Sequence, residues 1–204
     1  MTDQSESLFA QSGSRTTPEA IAERSFSQVK RGYAESEVRA YLRMVSNDFA
    51  SAASRERELA ARVRELEDRE AIRNAIASYG PAVDRGDSAA AANIFSADGE
   101  YDVGGYGVHK GFAALKALLD GDVHQGLIGN GAAHVLSPMQ IDLDEDRATA
   151  RGYSCVFTWA DGAFSAHRIA ANRWELQCVK GAWKVTRRIN RLLDGAPEAR
   201  ALLK

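Results

Sequence analysis

The chain reads as an α+β protein: helices on one face of a strongly curved antiparallel sheet, preceded by a helical coiled-coil segment. Three observations predict this. Residues 133–143, 147–160, 163–179 and 182–192 are strand-like runs parted by Asp144-Glu145-Asp146, Asp161-Gly162 and Lys180-Gly181. Short turns between the last three make an antiparallel meander. Ahead of them, residues 67–119 alternate helical patterns with one hairpin, and helices segregated from a sheet indicate the α+β class. Further upstream, apolar residues from Val45 to Leu66 step by four and three, the spacing of a heptad seam.

The 204 residues suit one or two domains, and a hydrophobic content of 45% is ordinary for a globular protein. A formal net charge of −2 argues against a general nucleic-acid binder, which needs a basic surface. Cys155 and Cys178 lie in apolar runs without metal-ligand spacing, so they read as structural thiols. The N-terminus has no basic n-region followed by an apolar stretch, and no segment approaches the ~20 apolar residues that span a bilayer. These features predict a cytoplasmic protein with any membrane contact peripheral.

From the N-terminus, residues 1–15 are polar and predicted to form a disordered tail. Thr17-Pro18-Glu19 opens a short helix, with Thr17 as its cap and Pro18 at the first helical position. Residues 26–33 connect it to a long helix starting near Glu35. The apolar positions of that helix are Val38, Leu42, Val45, Phe49, Ala52, Leu59, Val63 and Leu66, with Glu56 interrupting the seam. One seam cannot bury itself, so the helix is read as self-associating, with a single solvated helix as the alternative. No Pro or Gly separates it from the next domain, and the apolar face moves to Ile72, Ile76 and Tyr79 near Glu67. The reading continues with helix 67–85 ended by Gly86, helix 88–95, strands 99–104 and 106–109 joined at Gly104-Gly105, and helix 111–119. The Gly-rich residues 121–132 read as a loop and a lid. The domains are therefore 16–66 and 67–195, with a tail at 196–204.

Two resemblances follow. Asp68-Arg69-Glu70-Ala71-Ile72, Tyr79-Gly-Pro-Ala-Val-Asp84, Ile94-Phe95-Ser-Ala-Asp98, Ala133-His134 and Gly181-Ala-Trp183 occur in the order and spacing of a SnoaL-like domain. That family belongs to the nuclear-transport-factor-2-like cones and is similar to scytalone dehydratase, bile-acid dehydratases and polyketide cyclases. Thr17-Pro18-Glu19-Ala-Ile21 with Arg31-Gly32-Tyr33 and Glu37-Val38 resembles a DivIVA-type segment. That resemblance implies a homo-oligomer, a dimer, through the N-terminal helix. It also implies membrane contact through a loop, where this chain carries Lys30 in place of the usual aromatic.

The SnoaL-like resemblance implies a pocket for a small, largely apolar molecule, polyketide- or steroid-like, and a dehydration, isomerisation or cyclisation without cofactor or metal. It places His134 as the base and Asp84 as its partner. Tyr79 becomes a donor to a substrate oxygen, with Tyr101 as a second one. An imidazole held by a carboxylate suits such proton traffic. Read without the family, Asp84 could simply end a helix and His134 could lie on the surface. Family members carry a further ionisable group on the strand after the histidine, where this chain has Cys155-Val-Phe-Thr-Trp159. His167 is a possible substitute, and an exposed strand position is the other reading. Trp159 and Trp174 are candidates for an apolar pocket wall or the core, and Asn172 for an inward amide. Arg187, Arg188 and Arg191 read as the solvent face of the last strand, with one available to an anionic substrate. The four histidines lack paired metal-ligand spacing.

Overall fold

The computed structural model describes residues 17–204; the expected tail at 1–15 lies outside them. The chain divides into two compact units that part at Val63–Arg64.

In the first unit, α1 (Pro18–Ala22) starts where Thr17 accepts a hydrogen bond from the Ala20 amide. The connector at 26–33 contains a two-rung hairpin, β1 (Gln28–Val29) and β2 (Gly32–Tyr33). It leads into α2 (Glu35–Ala77). The small core here is Tyr41, whose hydroxyl donates to the Ala20 carbonyl and whose ring meets Phe26 edge-on, centroids 5.6 Å apart. The Arg24 guanidinium lies over both rings. Ser27 donates to the Glu37 carboxylate through its amide and its hydroxyl, tying the hairpin to the start of α2. Along α2 the seam residues Leu42, Phe49, Leu59, Val63 and Leu66 are all exposed, Phe49 at 76%.

In the second unit, the final turns of α2 bury Ile72 and Ile76. The helix breaks at Ser78 and resumes as α3 (Tyr79–Asp84). Pro81 has no N–H to offer the carbonyl of Ala77, which accounts for the interruption within the expected 67–85 helix. Asp87 caps α4 (Ser88–Asn93) by accepting from the Ala90 amide. Then come β3 (Phe95–Val103), β4 (Gly107–Lys110), α5 (Gly111–Asp120), α6 (Asp122–Gly129), β5 (Ala132–Leu136), β6 (Gln140–Asp144), β7 (Arg147–Ala160), β8 (Ala163–Val179), β9 (Ala182–Leu192) and α7 (Pro197–Ala201).

The strands form one sheet in the order β4-β3-β9-β8-β7-β5, with β6 pairing β7 beyond β5. The β7-β8-β9 meander is antiparallel, as expected, and β3 runs parallel to β9. Register shifts at Val156/Phe157 on β7 and at Glu175/Leu176 on β8 bend the long strands. The core lies between the sheet and α2, α3 and α5, with Trp174 fully buried at its centre. Trp183 donates its indole N–H to Asp68 at 2.8 Å, and Arg69 donates to the Ile141 carbonyl, fixing the end of α2 on the sheet.

Three readings are corrected. Residues 121–132 are mostly helical, because half-burial of His124, Leu127 and Ile128 along one side of α6 outweighs the low helix propensity of its glycines. The single strand at 133–143 is two, divided at Ser137-Pro138-Met139, where Pro138 has no donor for a ladder. The tail at 196–204 contains α7, whose Ala199 is buried. Among the described residues no helix is long and apolar enough to cross a membrane.

Candidate active site

A cavity of about 520 Å³ opens between the concave face of the sheet and α3, α5 and α6. Asp84, the last residue of α3, accepts both the backbone amide and the ring of His134 on β5. The Nδ1–Oδ1 separation is 2.6 Å, and the amide lies 2.9 Å from Oδ2. Three polar contacts on one carboxylate fix the imidazole in place. In the neutral imidazole, a proton on Nδ1 shared with Asp84 leaves the lone pair on Nε2, the arrangement a general base needs. His134 lines the cavity, and Asp84 stands behind it.

The same cavity also holds a charge. Arg188 on β9 is 2% exposed and lies over the rings of Tyr79, Tyr101 and Trp174 at 4.1–4.4 Å. Its Nε and Nη2 both donate to Asn172 Oδ1, while Nη1 is buried with no partner. Among the described residues no carboxylate lies within ion-pair distance of it. A buried, unpaired guanidinium is costly, so an anion or a developing negative charge in the cavity would relieve it.

Arg188 faces inward because of a bulge. Trp183 and Val185 point to the core, so simple alternation would send Arg187 inward and Arg188 to solvent. The register instead steps from Leu176↔Val185 to Glu175↔Arg187, leaving Thr186 as an extra residue. Beyond it the faces exchange, and Arg188 and Asn190 turn in. The solvent-face reading therefore fails for Arg188. It holds for Arg187, and Arg191 forms a two-pronged pair with Asp102.

Tyr79 and Tyr101 line the cavity, both nearly buried. Burial pushes the Tyr79 phenol far above its ordinary range, so it stays protonated and can donate. His167 also lines the cavity and is the extra residue where β8 shifts register against Val156/Phe157. Three expected wall residues lie elsewhere. Trp159, beyond that shift, is 46% exposed and packs on Phe164 outside the cavity, centroids 5.0 Å apart. Asn172 and Trp174 lie behind Arg188, one holding the guanidinium and the other stacking under it. Ser154 and Asn190 line the cavity without having been singled out, as does His124 on α6. The His124 ring sits 5.5 Å from that of His134, and burial, followed by the charge of His134, holds it below its ordinary pKa. Reading α6 as a loop hid this residue. Among the described residues no three His, Cys, Asp or Glu side chains form a metal-binding group.

Residues 64–189 match the model of the SnoaL-like domain. The chain belongs to the SnoaL-like family. Residues 16–76 match the DivIVA protein family. A solved NTF2-like protein with a cystatin-like fold from Novosphingobium aromaticivorans is 49% identical. The match covers 72% of this chain and 95% of that one, with a TM-score of 0.70. A protein of the same organism named for scytalone dehydratase is 23% identical over 63% of this chain and 85% of its own, TM-score 0.53. A hexachlorocyclohexane dehydrochlorinase of Novosphingobium barchaimii is 19% identical over 64% and 90%, TM-score 0.57. The last two share the fold with this SnoaL-like domain. No curated protein matches the chain.

Proposed function

We propose that the SnoaL-like domain is a cofactor-independent lyase that eliminates water or another small leaving group from an apolar cyclic substrate. The carrying observation is that the Asp84-held imidazole of His134 and a buried guanidinium with an unpartnered Nη1 line one cavity. His134 Nε2 takes the proton from carbon, the C–H electron pair becomes the new C=C bond, and the leaving group departs with its own pair. Arg188 stabilises that charge, or the oxyanion of a carbonyl substrate, to which Tyr79 also donates. The proton on His134 then completes the departing water. Arg188 fills the place of the ionisable group that the strand after His134 lacks. The names of the dehydratase and dehydrochlorinase that share the fold accord with elimination. Isomerisation and ring closure use the same proton transfers and are alternative outcomes of one screen.

The test is a panel of cyclic β-hydroxyketones, followed by the ultraviolet absorbance of the conjugated enone. His134→Ala is expected to lower turnover by about 100-fold or more, the usual worth of a general base. Arg188→Gln is expected to lower kcat by a similar factor. Turnover surviving in His134→Ala removes this histidine from the chemistry.

The seam of α2 supports a second part of the reading: the chain dimerises through this helix, carrying two SnoaL-like domains.

A further inference from the structure

The polar side chains of the cavity wall form one connected chain. Arg168 on β8 donates through Nη2 to the Gly104 carbonyl at 2.8 Å and to Asn190 Oδ1 at 3.1 Å. Asn190 Nδ2 donates to Ser154 Oγ and Asn172 Oδ1. Asn172 donates to Ser154 and accepts from Arg188. Two guanidiniums are thus braced by two amides and a hydroxyl, with no carboxylate among them. Arg168 has no ion pair among the described residues, and its only hydrogen bonds use Nη2, which leaves Nε and Nη1 as donors. Its guanidinium lies 5.7 Å from the Tyr106 ring centroid. Arg168 and Tyr106 also line a second, neighbouring cleft of about 740 Å³, bounded by the β3–β4 turn and α7. Arg168 therefore stands at the rim of the cavity, and Arg188 at its floor.

Bracing by neutral amides holds a guanidinium in position while leaving its charge uncompensated. Two such groups on one wall of a largely apolar cavity select a ligand that brings negative charge. We propose that the ligand is an apolar carboxylate: its carboxylate meets Arg168 at the rim, and its reacting end lies between His134 and Arg188. With Nη2 spent on Gly104 and Asn190, the Nε–H and Nη1–H of Arg168 point to different sides, and either can hold one carboxylate oxygen by a charge-assisted hydrogen bond. The adjoining cleft leaves room for a substituent on the carboxylate-bearing end. The rim half of this inference stands on the geometry, while the floor half rests on the elimination reading.

The probes are 2-naphthoate and its neutral isostere 2-naphthamide, titrated calorimetrically into the full-length protein. The wild type is expected to bind the acid at least tenfold more tightly than the amide. Arg168→Gln is expected to bring that ratio close to one by weakening the acid far more than the amide. Equal affinity of the wild type for both probes, or no saturable binding of the acid, overturns the proposal. So does an Arg168→Gln variant that weakens both probes alike, the behaviour of a merely structural residue. Neither readout needs turnover. Preferential acid binding without elimination would leave the rim site standing and reject the lyase.

Discussion

His124 and His134 meet ring to ring inside the cavity, and the Nε2 of His124 is buried without a partner. Burial makes its charged form unfavourable, and a charge on His134 adds repulsion. The folded pKa is therefore lower than the unfolded value, and between the two the unfolded chain binds the extra proton. Stability is complete above the ordinary value of 6.5 and is lost as pH falls through it toward the folded value. His124→Asn should flatten this acid limb. Urea midpoints of the variant and the wild type, compared from pH 7.5 to pH 5, should converge as the pH falls; parallel curves would remove His124 from the acid response. Asp84 and His134 were legible as a pair only through the order of motifs they share with the family. Fifty residues separate them, and nothing local in either segment reports the 2.6 Å contact.

At the scale of elements, the dyad depends on how closely α3 approaches β5. A Cβ on Gly80 would lie 2.2 Å from the His134 carbonyl oxygen, far inside any real contact. Gly80→Ala must push the helix off the strand that carries His134. It is expected to cost about 1–3 kcal/mol of stability, the usual penalty for overpacking a close contact. Denaturant unfolding measures this, and an unchanged midpoint would mean that the approach is not tight in solution. The elements themselves were largely readable, because their apolar periods and turn residues are local signals. The misread ones were those where local chemistry and tertiary context disagree. In α6, glycines at 126 and 129 speak against a helix, yet His124 and Leu127 line the cavity and Gln125 donates to the Leu119 carbonyl. Between β5 and β6 the Ser137 hydroxyl takes the Tyr153 amide, Pro138 offers no donor, and the ladder resumes one residue out of step on β7.

For the whole molecule, the exposed seam of α2 is the feature a single chain leaves unsatisfied. Phe49 and Leu59 are 76% and 63% exposed on a helix of 43 residues. Leu59→Lys places a charge in that seam and should shift sedimentation toward the monomer, with the far-ultraviolet spectrum unchanged. A fragment spanning 64–204 should likewise lose self-association and keep its thermal unfolding transition. An oligomer that survives both changes would place the interface on another surface. The sequence by itself determined the class of fold, the meander, the helical segment ahead of it and the two residues of the dyad. Each rests on periodicity, turn chemistry or motif order, which are properties of the chain read in line. Tertiary structure alone decided that Arg188 is buried. One extra residue at Thr186 shifts the pairing of β9 with β8, and a strand shifted by one residue presents its opposite face. The charge that distinguishes this cavity is thus set by where two strands fall out of register.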